Sequence, residues 1–154
     1  MKAYLVTALL CLMFIVGTVC GMGETVSKLV IADNGVSRYS IVVSEAASPS
    51  ENHVAQEIKH FLKEISGADL PIVMDKGDLK SHEIILGDNL HLGQLGVVVD
   101  WQALGSDGFT IRTEGDYLII AGGRLRGTVY GVYTFLEDYL GWLPLVPPES
   151  EPNS

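Results

Sequence analysis

His53, Glu57 and His60 recur at i, i+4 and i+7, and on a helix turning about 100° per residue they fall within about 60° of one another. That spacing can present imidazole and carboxylate groups to a metal ion. The order differs from H-E-x-x-H, and no fourth group stands nearby in sequence. The three residues border an apolar stripe, where polar side chains meet water, so they are expected to form a solvated face and no metal site. Glu137 and Asp138 are adjacent carboxylates. Glycosidic bond cleavage needs two carboxyls facing one another about 5–10 Å apart, and neighbouring helix residues point about 100° apart. The pair is therefore expected to be solvated or bonded to Arg124 or Arg126. Gly122-Gly123 stands at a strand-to-helix junction, where free amides can hold an anion. GG-x-x-x-G is neither a Walker loop nor the dinucleotide fingerprint, and no Lys-Ser/Thr follows it. A tight turn is expected there, with no cofactor. Trp101 and Trp142, with Tyr130 and Tyr133, are candidates for stacking on a sugar, although aromatic residues at such positions also fill cores. The 4 histidines are scattered and form no Ser-His-Asp pattern. No catalytic residue is predicted.

The elements that would position these residues follow from periodicity. Residues 28–32 and 39–43 read as two strands joined at Asp33-Asn34-Gly35, since Asn-Gly favours the positive φ of tight hairpin turns. Ser48-Pro49-Ser50-Glu51 carries a cap, a first-turn proline and a capping box. Val54, Ile58, Phe61, Leu62 and Ile65 follow as one apolar stripe, and Gly67 stops the helix. Residues 70–74 and 83–87 read as short strands, and 108–113 with 117–120 as a hairpin around Glu114-Gly115-Asp116. Residues 88–106 give no clear pattern beyond a strand near 97–99. A second helix is expected from about Arg124 to Leu140. On its wheel Leu125, Val129, Val132, Leu136 and Leu140 share one face, and Gly127, Gly131, Thr134 and Asp138 lie nearly opposite. Glycine in an exposed helix costs about 1 kcal/mol against alanine. Two explanations stay open for this face: an interface to a downstream domain or partner, or tolerated low propensity. The order of elements predicts an α+β domain of two layers, a mixed sheet with two helices on one face.

Lys2, the apolar run from Ala3 to Val16 and the small residues that follow have the form of a signal peptide, residues 1–23, with cleavage expected after Gly21 or Gly23. Secretion or a periplasmic location follows. Lipidation at Cys20 is disfavoured by the large Val19 before it. Both cysteines, Cys11 and Cys20, lie in this leader, so the mature chain would have no disulfide and no thiolate zinc site. The formal charge is −9, and removing the leader takes away Lys2 and no acid. Such an acidic surface repels phosphate backbones, which excludes nucleic acid and, after signal cleavage, anionic membrane surfaces as partners. A neutral sugar or another protein remains compatible. Pro144, Pro147, Pro148 and Pro152 mark residues 144–154 as a linker or tail, leaving 24–143 as the domain.

The motif Gly122-Gly123-Arg124-x-Arg126-Gly127-Thr128-x-Tyr130-Gly131-Val132-Tyr133, with residues 64–72, 83–87 and 104–111 in the same order, resembles the N-terminal accessory domain of bacterial alpha-glucuronidase-like and beta-N-acetylhexosaminidase-like glycoside hydrolases. The resemblance runs from about Leu29 to Leu143. It implies a mixed sheet with two helices on one face, chemistry performed by a barrel domain that follows, and no catalytic residue to carry over. Relatives continue with a Cys-Arg-Trp-Phe-like segment, where this chain has Trp142-Leu143-Pro144-Leu145. The expected role is a non-catalytic accessory domain, its partner a downstream catalytic barrel. The alternative is a stand-alone carbohydrate-binding module.

Overall fold

The computed structural model describes residues 29–124 and 126–141. The leader, the tail and Trp142 lie outside the described residues. Five strands form one sheet in the order β2-β1-β3-β5-β4. They are β1 (Ser40–Val43), β2 (Ile72–Met74), β3 (Glu83–Leu86), β4 (Phe109–Glu114) and β5 (Tyr117–Gly122). The pairs β1–β2, β1–β3 and β3–β5 are parallel, and β4 closes one edge antiparallel to β5. Ile41 stands between Ile72 and Ile84, and Ile85 between Val42 and Ile119. After their first residues, Ser40, Glu83 and Tyr117, the central strands are apolar because both their faces are covered.

Helix α1 (Pro49–Ser66) begins as its sequence dictates. Ser48 accepts from the Glu51 amide, Glu51 reaches back to the Ser48 amide at 2.8 Å, and Gly67 ends the helix in the left-handed region. Val54, Ala55, Ile58, Phe61 and Leu62 are buried. Ile65 shares their helical phase yet is 54% exposed, so the last turn carries the stripe past the packed sheet. Helix α4 (Gly127–Thr134) packs on the same face and continues into a π-helical turn, Phe135–Tyr139. The larger core joins Ile41, Val43, Ile84, Leu86, Leu118 and Ile120 of the sheet to Ile58, Val132 and Leu136 of these helices. The α+β fold with two long helices on one face is thus observed.

Three local expectations are corrected. The Asn34-Gly35 turn forms, with both φ values positive, but it closes a single bridge between Asp33 and Val36, not a hairpin. Strand β1 takes parallel partners on both sides instead, which buries Ile41, Val42 and Val43 completely or nearly so. Residues 88–106 hold two short helices, α2 (Leu90–Gln94) and α3 (Trp101–Leu104), and no strand at 97–99. They cover the second face of the sheet, where Leu92 and Val97 meet Ile85, Ile119 and Ala121. The second long helix begins at Gly127, later than expected.

Candidate functional site

The glycines of the strand-to-helix junction are a close-packing device. A Cβ on Gly122 would strike the backbone of Gly127 and Thr128, one on Gly123 the backbone of Gly105, and one on Gly127 the carbonyl oxygen of Gly108. The start of α4 therefore lies directly on the end of β5. The turn amides face inward: Gly123 N–H donates to Gly108 O at 2.8 Å, Arg126 N–H to Ser106 O at 3.1 Å and Gly127 N–H to Gly123 O at 3.0 Å. Three amides that an anion would use are already satisfied.

Gly127 and Gly131 lie on the inward face of α4, which corrects their expected outward placement. A Cβ on Gly131 would stand 2.8 Å from Ile120 Cγ2 and 3.3 Å from Phe109 Cβ. The surface these glycines meet is the domain's own sheet. Thr134 is half-buried and Asp138 is exposed. Glu137 is exposed as well, and Arg126 bonds not to this pair but to Asp107, through two nitrogens at 2.9 and 3.2 Å. Those charge-assisted bonds hold the Asp107 carboxyl below the ordinary carboxylate range. The Arg126 guanidinium also lies 5.8 Å from the centre of the Tyr130 ring.

His53 and His60 are exposed and Glu57 is half-buried on α1, and His60 pairs with Glu64 at 3.8 Å. Among the described residues no group of three or more His, Cys, Asp or Glu is arranged to hold a metal ion. Tyr133 packs against the core under α1 and α4, whereas Trp101 packs against the core on the opposite face of the sheet. The two rings therefore do not share a platform.

Trp101 lines a cleft of about 660 Å³. Its wall is built from segments leaving the carboxyl ends of the three central parallel strands: Ser44, Ala47 and Ser48 after β1, Asp88 after β3, and Gly122, Gly123 and Arg124 at the end of β5. From β1 the chain crosses through α1 on one face to β2; from β3 it leaves through α2 and α3 on the other face, towards β4 and β5. The cleft thus opens where the chain path reverses, the crevice in which open sheets with parallel strands bind ligands. Glu51 also lines it, but its Oε2 accepts from the Ser48 amide and hydroxyl, and its Oε1 lies 3.5 Å from Thr128 Oγ1. This carboxylate ties α1 to α4.

A buried polar cluster, not anticipated from sequence, runs from the carboxyl end of the sheet, at Asp75 and Asn89, to Glu83 at the amino end of β3. Asp75 accepts from the amides of Glu45 and Leu90, both at 2.9 Å, and clips the exit of β1 to that of β3. Asn89 donates to Val42 O at 3.3 Å and accepts from the His91 amide at 2.9 Å. His91 Nδ1 lies 2.7 Å from Glu83 Oε2, with side-chain exposures of 2% and 1%, and its Nε2 lies 3.1 Å from Gly77 O. The available signal was Glu83 opening an otherwise apolar strand.

Fold and cleft together define a small α+β domain whose ligand-sized opening lies at the carboxyl edge of its sheet. Residues 30–135 match the glycosyl hydrolase family 67 N-terminus, and the chain belongs to that family. No curated protein matches the sequence. Among solved structures the fold is similar to part of a family GH115 4-O-methyl-alpha-glucuronidase with specificity for decorated arabinogalactans, with a TM-score of 0.53 and 22% identity. The match covers 70% of this chain and 14% of that one, so this chain corresponds to a small part of that enzyme.

Proposed function

We propose that this chain is the non-catalytic N-terminal accessory domain of a secreted glycoside hydrolase of alpha-glucuronidase type, acting beside a catalytic domain on its C-terminal side. The observation that carries this is the family match over residues 30–135, which spans every strand and both long helices. In the GH115 enzyme the similar fold likewise makes up a minor fraction, 14%, of a longer chain. Of the two carboxylates on the cleft wall, Asp88 and Glu51, the second is committed within the fold. Glu51 serves the cap of α1, while Glu137 and Asp138 lie exposed on the π-helical turn and do not line the cleft.

The purified chain is expected to leave aryl glucuronides and aryl N-acetylhexosaminides intact. Turnover that disappears when a single carboxylate is replaced would overturn the proposal.

A further inference from the structure

We propose that the cleft at the carboxyl edge of the sheet is a saccharide-binding site for one or two pyranose rings. In this site Trp101 stacks on an apolar ring face, Asp88 accepts from sugar hydroxyls, and Arg124 donates to a hydroxyl or carboxylate oxygen. Place and size come first. The cleft lies where the chain path reverses, and its volume of about 660 Å³ is that of a small-molecule site.

The lining then selects the ligand. Trp101 is half-buried against the second core, which fixes its ring while part of it faces the cleft. Asp88 and Arg124 are exposed on the same wall, and neither bonds to any side chain among the described residues. By contrast Arg126, Arg112, Lys59, Lys63 and Lys76 each pair with a carboxylate. An aromatic face beside uncommitted donors and acceptors matches a pyranose, which has apolar C–H faces and a rim of hydroxyls. A phosphate-bearing ligand fits poorly. The junction amides of Gly123, Arg126 and Gly127 are satisfied within the protein, and Asp88 and Glu51 place negative charge on the wall.

The test is an NMR titration of the full chain with glucose, galactose, xylose and glucuronate, and separately with inorganic phosphate. At least one sugar is expected to shift the amides of Asp88, Gly122, Gly123 and the Trp101 indole, and phosphate none. Trp101→Ala should weaken that binding by about tenfold or more. Because Trp101 also contributes to packing, Asp88→Asn and Arg124→Gln serve as surface variants; each should weaken binding with the melting temperature unchanged. The proposal is overturned if no sugar perturbs these residues up to its solubility, if binding is indifferent to all three substitutions, or if only phosphate binds. It goes beyond the accessory role and fails separately. Lack of sugar binding leaves that role standing, and turnover of an aryl glycoside removes the role and leaves the cleft.

Discussion

His91 is held between two acceptors, the Glu83 carboxylate at 2.7 Å and the Gly77 carbonyl at 3.1 Å. A neutral imidazole donates at one nitrogen only, so which of the two contacts it donates to is set by its tautomer. Removing His91 leaves the buried Glu83 carboxylate with only the Lys80 amide at 3.0 Å, and removing Glu83 leaves His91 with only the Gly77 carbonyl. His91→Leu should therefore cost about 3–5 kcal/mol in denaturant unfolding, and adding Glu83→Leu should recover most of that loss. A double variant no more stable than the single would count against the pair. Asp75 gives a pH dependence. Burial raises its proton affinity, but the Leu90 and Glu45 amides, the Ser44 hydroxyl and His91 outweigh burial and hold the carboxyl below its ordinary range. Its stabilisation is thus complete above the unfolded value of about 3.9 and is lost as pH falls through the lower folded value. Asp75→Asn should be less stable than the parent at neutral pH, with the difference shrinking in acid. A difference independent of pH would contradict this account.

At the scale of elements, α1 and α4 reach the same core by different means. Helix α1 uses branched and aromatic side chains on an ordinary amphipathic face, fixed at its start by Ser48 and Glu51. Helix α4 approaches the sheet so closely that glycine is required where it touches. Gly131→Ala gains up to about 1 kcal/mol of helix propensity but forces a methyl group into Ile120 and Phe109, at a cost of about 1–3 kcal/mol. The net effect should be destabilising. Gly127→Ala should cost more, because its neighbours are the backbone atoms of Gly108 and Gly122, which cannot rotate away. Thermal unfolding decides the matter, and unchanged or raised melting temperatures in both variants would show that the contact is not tight.

On the scale of the whole molecule, the sheet has two covered faces and a ligand-sized cleft at the carboxyl ends of its parallel strands, an arrangement suited to a domain that binds or docks. Lys2 followed by the apolar run from Ala3 to Val16 has the form of an export signal. The mature chain is expected outside the cytoplasm, beginning after Gly21 or Gly23. Fractionation with N-terminal mass measurement tests this, and an intact Met1 on cytoplasmic material would refute it.

Local signals were strong wherever the cause is local. The Ser48-Pro49-Glu51 start and Gly67 stop of α1, the Asn34-Gly35 turn and the β4–β5 hairpin are set by residues adjacent in the chain, so the sequence alone determined them. Several apolar runs and the order of motifs also sufficed for the α+β class and the family resemblance. Partnership between distant segments was not legible. Whether β1 pairs with residues 29–32 or with β2 and β3 depends on which arrangement buries both its faces, and only the tertiary structure decides that. The inward face of α4 was misread for a related reason. Gly127 and Gly131 have no side chain to register as apolar, so periodicity cannot reveal that they are buried by close approach. Trp101 was singled out as a sugar contact from its residue type. Its companions Asp88 and Arg124 come from different loops, and only the folding of three parallel strands into register brings those strand ends to one cleft.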